Sequence, residues 1–408
     1  MIEAVPADRR LQLCVLGDLD GLHTRSWLRY FVDRGHEVHA ISYYPLAEPV
    51  GGVHLRVLQS QAAAPSSQRA SSGSPAKRLA RRLPPGVQRL ANLLRYRRAG
   101  LRRVVEEIAP EVLHAHFLVE HGFYGTAAAY RPYVVTAWGS DVLVEAAKSP
   151  LNRAIARFVL RRSDLATANN RFMAREMVLK LGAARPSVQH IVLGVDRDFL
   201  DRAGASVSAR RSDLDRAPIV LSSRSLDSAL YNVDVIVQAM ALVRRRLPAA
   251  RLVIAGEGRL RAQLEVLAEQ LGLGEAVRFT GFLSNESFRE TLAASEVFVS
   301  VPSSDATSVA LLQAMAVGCF PVVSDLPSQQ ELVEHGAGGL RVPVRDAEAL
   351  AAAIERALED DELRRAAVER NRRFVEEYGL LETNMARMEA WYYRLAGRAG
   401  EAEATLLD

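Results

Sequence analysis

Residues 299–325 read VSVPSSDATSVALLQAMAVGCFPVVSD, an apolar strand that runs into a Ser/Asp/Thr turn and then into a helix. A helix begun that way offers unpaired N–H groups in its first turn and the positive end of its dipole, which suits a pyrophosphate and calls for no metal. Asp305 and Gln313 stand eight residues apart, about two helical turns. Asp305 can accept hydrogen bonds from ligand hydroxyls, and Gln313 can both donate and accept. The alternative is that Asp305 or Ser308 only caps the helix, with Gln313 a polar residue on its face. VLHAHF sets His114 and His116 on one face of a strand, with His116 nearer the C-terminal edge. No Cys, Asp or Glu lies at ligand spacing from the two, so a metal pair is disfavoured and no metal site is expected. Gly256, Glu257 and Gly258 form a G-x-G turn after RLVIA, a pattern that also serves any tight strand-to-helix connection.

These residues need strands that end on one edge. Apolar runs of strand length alternate with helical patterns along the chain, the mark of βα units on parallel sheets. LQLCVLG (11–17) reads as a buried strand, Trp27, Leu28, Phe31 and Val32 as a helical stripe stopped by Gly35, and EVHAIS as the next strand. Strands follow at 112–116, 133–138 and 164–169, then a helix from about Arg171 closed by Gly182 and a final run HIVLGVDRDFL. The second series opens with PIVLSSR (218–224) and a helix near 232–247. It continues through strands at 251–258, 277–281, 296–302, 320–325 and 339–343 to a helical tail from 346. The reading is an α/β chain with two doubly wound domains. Residues 1–200 form the first, with a low-complexity mobile loop at 59–76 and a basic segment at 77–103; 201–216 form a linker; 217–379 form the second; and 380–408 form a last helix.

With 49% hydrophobic and 25% charged residues, the 408-residue chain has an average globular composition. That excludes wholesale disorder, a collagen-like repeat and a disulfide scaffold. Cys14 and Cys319 lie in apolar runs and read as buried thiols in a reducing compartment, with the cytoplasm as the expected location. The start MIEAVPADRR does not resemble a secretory signal, and no apolar run approaches the length of a membrane span. Residues 1–204 hold 29 Lys+Arg and 18 Asp+Glu, a net +11, whereas the remainder holds 23 and 30, a net −7. No acid occurs between Glu48 and Glu106, a span with twelve basic residues, so an anionic partner is expected on the first half. Residues 76–103 alternate clustered Arg with Leu79, Leu83, Val87, Leu90, Leu93 and Leu94. That suits a helix on an anionic membrane, hence a peripheral location on its inner face, or a solvated basic face over a core stripe; Pro84, Pro85 and Gly86 break any single long helix. Nucleic acid is disfavoured, since Tyr96 is the sole interleaved aromatic.

QAMAVGCFPVV, preceded seven residues earlier by Asp305, resembles the "EAMA.G.PVV" window of the retaining nucleotide-sugar glycosyltransferases of family 4. The resemblance covers nearly the whole chain, most strongly 218–345, and implies the GT-B fold: two facing Rossmann-like domains with the C-terminal helix crossing back. It implies that Asp305 contacts the transferred sugar, that Thr307, Ser308 and Val309 lie along its phosphates, and that Gln313, where the family carries Glu, holds the ribose without charge assistance. Arg224 matches the family's phosphate-clamping Arg. Its companion Lys is absent, and Tyr231 and Asn232 stand near that place. Gly256, Glu257 and Gly258 match a turn near the nucleotide, and Phe282 and Leu283 a loop against the base. His116 matches a His that meets donor sugar and acceptor. AWGSDV resembles the "HG.D" loop, which offers Trp138 for stacking and Asp141 for an acceptor hydroxyl, or else a core indole and a capping carboxylate. Gly21, with His23 and Thr24 beside it, completes the acceptor side.

The resemblance therefore implies a metal-independent glycosyltransferase that needs no cofactor. It would move a sugar from a nucleotide diphosphate-sugar to a glycan or glycolipid hydroxyl with retention, by a front-face route in which Arg224 and the Ser308 helix stabilise the leaving diphosphate. Closure about the linker would exclude water. Two other readings share the fold: a non-catalytic nucleotide-sugar-binding or regulatory member, suggested by Gln313 and the absent Lys, and a nucleotide-sugar 2-epimerase, which would need acid/base carboxylates.

Overall fold

The computed structural model describes residues 4–46, 48–58, 85–184, 187–202, 217–400 and 406. The expected mobile loop 59–76, the start of the basic segment (77–84) and nearly all of the expected linker (203–216) lie outside them. The chain divides into two compact units, Met1–Leu193 with Glu382–Asp408, and Gly194–Leu381.

The first unit holds strands β1 (Gln12–Leu16), β2 (Glu37–Ser42), β3 (Val53–Val57), β4 (Val112–His116), β5 (Tyr133–Ala137), β6 (Leu165–Ala168) and β7 (Val188–His190). They pair in the order β3-β2-β1-β4-β5-β6-β7, each pair parallel. The second unit holds β8 (Ile219–Ser223), β9 (Arg251–Ala255), β10 (Val277–Phe279), β11 (Val297–Ser300), β12 (Phe320–Ser324) and β13 (Leu340–Val342), in the order β10-β9-β8-β11-β12-β13 and again parallel. Both sheets reverse direction of growth at one place, β1/β4 and β8/β11. In open α/β sheets the crevice outside the strand C-termini at such a switch point is where ligands bind.

Helix α1 (Leu22–Asp33) buries Trp27, Leu28 and Phe31 of the expected stripe, together with Tyr30, while Val32 of that stripe is half-buried. It stops where Gly35 adopts φ +86°, a conformation that glycine enters without steric cost. The described part of the basic segment forms α2 (Pro85–Arg98) and the start of α3 (Leu101–Ile108), divided at the left-handed Gly100, and α2 starts at Pro85, one of the residues expected to break any longer helix. The tail forms three helices, α4 (Ala347–Glu359), α5 (Asp361–Tyr378) and α6 (Leu381–Leu395). From Glu382 onward the chain belongs to the first unit again. There Tyr392 is wholly buried, receiving the Trp27 indole N–H (3.2 Å) and meeting His114 Nδ1 (2.5 Å). Glu389 pairs with Arg34 (3.1 Å) and His36 (2.8 Å).

Two elements depart from the sequence pattern. β3 was not anticipated, because an edge strand with one half-buried face lacks the continuous apolar run that marks the central strands. The last strand of the first unit ends at His190, before the apolar run IVL expected to form it. Among the described residues no helix is long and apolar enough to cross a membrane.

Candidate functional site

In the second unit, β8 ends at Ser223 and Arg224 follows it at the switch point. Its Nε and Nη2 donate to Ser300 Oγ (2.9 and 2.6 Å), the hydroxyl that terminates neighbouring β11, and Nη2 also pairs with the Asp305 carboxylate. The guanidinium lies 5.4 Å from the centroid of the Tyr231 ring. Asp305 accepts from the Ala306 N–H (3.0 Å) and from Gln329 Nε2 (3.4 Å). Ser308 caps the helix Val309–Ala316 by accepting from the Leu311 N–H, which leaves the first two helical N–H groups without an intrahelical acceptor. Thr307 and Gln313 are half-buried beside and along that helix. One edge thus gathers a guanidinium, a helix N-terminus, a carboxylate and several hydroxyl and amide groups, a set that can hold a diphosphate and a polyol together.

The G-x-G turn acts on this cluster from behind. A Cβ on Gly256 would sit 2.1 Å from the Arg224 carbonyl oxygen, and one on Gly258 would sit 2.3 Å from backbone atoms of Leu226 and Asp227. Both glycines let the β9 turn pack against the loop that carries Arg224, and Gly258 also adopts φ +154°. Glu257 pairs with Arg261. Phe282 is 78% exposed in the loop after β10, with Leu283 half-buried beside it. Asn232 requires a correction. Expected on the donor, it is fully buried; its amide donates to the Val301 carbonyl (2.8 Å) and Ser303 Oγ (2.9 Å) and accepts from Arg345 (3.0 Å). It therefore ties the loop before Asp305 to the loop after Arg224.

In the first unit His116 ends β4 at the other switch point and is buried. Its Nδ1 lies 3.2 Å from Thr24 Oγ1, while Nε2 is buried without a hydrogen-bond partner. Burial, with His121 and His23 nearby, holds its pKa down to about 3, so the ring is a neutral imidazole at physiological pH. Trp27 (5.1 Å) and Trp138 (5.4 Å) stand edge-on to it, and His23 stacks on Trp138 (5.2 Å, 28° between planes). Gly17 admits the β1 loop at this point, since a Cβ there would lie 3.2 Å from that of His116. Gly21 precedes α1 as its N-cap residue. His114 is buried between Tyr392 and Thr136, as expected of a satisfied core histidine. Asp141 is the second correction. Rather than offering a carboxylate to an acceptor, it is wholly buried and accepts from the N–H groups of Leu118 (2.7 Å), Gly139 (2.9 Å), Val142 (3.1 Å) and Trp138 (3.2 Å). It builds the loop that presents Trp138.

The family described as glycosyl transferase 4-like matches residues 12–170, and the family described as glycosyl transferases group 1 matches residues 209–374. Each part of the chain is thus similar to a glycosyltransferase family. It is 32% identical over 171 residues to the alpha-D-kanosaminyltransferase of Streptomyces kanamyceticus, covering 40% of this chain and 44% of that one. It is 24% identical over 288 residues to the N-acetyl-alpha-D-glucosaminyl L-malate synthase of Bacillus anthracis, covering 69% and 74%. Sucrose-phosphate synthase of Thermosynechococcus elongatus superposes with a TM-score of 0.74 at 19% identity, over 95% of this chain and all of that one. Anabaena HepE in complex with UDP and glucose superposes with a TM-score of 0.71 at 18% identity, over 94% and 100%. These likenesses establish the GT-B fold.

Sequence reasoning overlooked Ser300 and Gln329 as partners of Arg224 and Asp305. Ser300 could have been found as the last residue of an apolar strand run, whereas Gln329 carries no local signal.

Proposed function

We propose that this glycosyltransferase moves a sugar from a nucleotide diphosphate-sugar to a hydroxyl of a glycan or glycolipid, with retention and without a metal or other cofactor. The reading rests above all on the placement of Arg224 beside Ser300, Asp305 and the Ser308-capped helix at one switch point. Arg224 and the open first-turn N–H groups would hold the diphosphate and stabilise the charge that develops as the glycosidic bond breaks. Asp305, once the diphosphate takes over the guanidinium, is released to accept from sugar hydroxyls, and Gln313 offers its amide to the ribose. Phe282 and Leu283 would lie against the base. His116, uncharged, would accept a hydrogen bond through its unpartnered Nε2 instead of serving as a cation. Departing diphosphate oxygen would collect the acceptor proton.

The membrane-surface reading draws support from α2. Val87, Leu90 and Leu94 are exposed along one face with Arg97 and Arg98, whereas Arg89 of the same run turns inward to Glu145 (2.7 Å) and Asn152 (2.9 Å). An apolar stripe flanked by guanidinium groups suits an anionic surface. A non-catalytic nucleotide-sugar binder is the second reading, favoured by Gln313 standing where a carboxylate is expected.

Thermal-shift titration with UDP, GDP, ADP and their sugars, with and without EDTA, tests the donor site. A nucleotide at about 100 times its dissociation constant stabilises the fold by about 2.7 kcal/mol. A response that survives EDTA and vanishes in Arg224→Ala is expected; silence toward every nucleotide overturns the donor reading. Binding without donor turnover in the presence of acceptors selects the non-catalytic one.

A further inference from the structure

The first unit contains a cavity of about 430 Å³ at the C-terminal ends of β1, β2 and β4, within the roughly 300–1,000 Å³ range of small-ligand pockets. None of the acceptor-side residues expected from sequence lines it. One wall is aromatic: Tyr96 and Tyr124, both buried, are stacked on each other at 5.0 Å with 18° between planes and back the half-buried Tyr43, which packs on Tyr96 at 5.1 Å. Tyr44 extends this wall outward and is 42% exposed. The opposite side is acidic. Asp18 and Asp20, both exposed, and Glu120 line the cavity against one guanidinium, that of Arg95. Arg89 approaches Glu120 at 3.7 Å but is engaged more closely by Glu145 at 2.7 Å. His121 completes the lining; its Nδ1 is buried without a partner, and burial keeps the ring uncharged. Asn92, whose amide donates to the Tyr124 hydroxyl (3.1 Å), adds a neutral polar group.

Tyrosine faces bind the C–H faces of saturated hydroxylated rings, and carboxylates accept from hydroxyl and ammonium groups but repel phosphate. We propose that this cavity is the acceptor subsite and that its ligand is a hydroxylated ring bearing no phosphate or carboxylate, with an amine-bearing ring preferred to a neutral one. The inference rests on the glycosyltransferase reading and narrows its acceptor class away from phosphorylated lipid carriers. Helix α2 contributes Asn92, Arg95 and Tyr96 to the cavity, while Val87, Leu90, Leu94, Arg97 and Arg98 of the same helix do not line it.

Saturation-transfer NMR and calorimetry on the full chain would use hexosamines, the matching hexoses and their 6-phosphates in the gluco, galacto and manno series. The expected order is amine over neutral sugar by about tenfold, with no saturable binding of the phosphate esters. Asp20→Asn should abolish the amine preference. Tyr43→Ala, or Tyr44→Ala if the former lowers the thermal midpoint, should weaken every sugar at least about tenfold. A phosphate ester that binds best, silence toward the whole panel, or affinities untouched by these substitutions each overturn the proposal. Nucleotide-induced stabilisation measured on the same wild-type sample separates the two failures: a chain that answers to a nucleotide but to none of these sugars loses the subsite alone.

Discussion

The two units share a strand order and a switch point, yet they fill that point with opposite chemistry. The second unit presents a guanidinium and a carboxyl group in largely buried contact, Arg224 clasped by Ser300 and Asp305 beside an open helix N-terminus. The first presents an uncharged imidazole enclosed by indole rings, with a tyrosine-walled cavity close by in the same sheet edge. One scaffold thus supports an edge built around a guanidinium and a helix N-terminus and an edge built around aromatic rings and carboxylates, so a common fold can present different chemistry at equivalent places.

The contrast can be broken most severely at Arg224. Under the proposed function, Arg224→Ala should lower kcat by about a thousandfold, the upper range for removal of one charge-stabilising donor, while the thermal midpoint without ligand changes little. Equal activity in the variant would show that the charged edge does not carry the reaction.

Acid should separate the units next. Eight of the nine histidines lie in the first unit and only His335 in the second. Burial first of all lowers His116 to about 3 and His121 and His190 to about 4. A folded pKa below the unfolded value of about 6.5 means that the stabilisation is complete above 6.5 and is lost as pH falls from there toward 4. Hydrogen exchange followed from pH 7 to pH 4.5 should show the first unit opening before the second, with its midpoint lower by on the order of 10 °C. Simultaneous opening would refute the assignment.

Gly256→Ala attacks the second unit through packing alone. The added methyl meets the Arg224 carbonyl at 2.1 Å, so about 2–3 kcal/mol of stability should be lost and nucleotide affinity should fall with it. Denaturant titration together with nucleotide titration checks both. Tyr392→Phe should cost the first unit about 1–2 kcal/mol, since the Trp27 N–H and His114 lose a buried partner, and should leave nucleotide affinity alone. Gln313→Glu gives the smallest expected effect, a two- to fivefold gain in nucleotide affinity by charge assistance to a ribose hydroxyl; unchanged affinity would place Gln313 off the ribose.

Much of this was legible in the sequence, and for a physical reason. Strands buried on both faces must be continuously apolar, so the central strands of both sheets announce themselves, and helices after them point their N-termini where Arg224, Asp305 and His116 lie. Half-buried β3 has no such signature. Asp141 and Asn232 show a subtler limit: a polar residue that satisfies backbone groups has the same type and strand-end position as one that meets a ligand, and only the hydrogen-bond inventory tells them apart. Gly256 and Gly258 look like a nucleotide turn, but the close approach that forces them to be glycine is to the protein's own chain. The tyrosine cavity was invisible because Tyr43, Tyr96 and Tyr124 are brought together by three separate crossovers.

Tyr392 lies more than 270 residues beyond the strand that bears its partner His114. On the ribosome, the first unit therefore cannot close its core when its own sheet has emerged. Trp27 and His114 must wait, with a hole where a whole helix belongs, until the second unit has been synthesised. Translation that stalls anywhere before the last helix would release a chain whose later-made half can be finished while its earlier-made half is not, exposing aromatic surface that quality-control machinery would recognise.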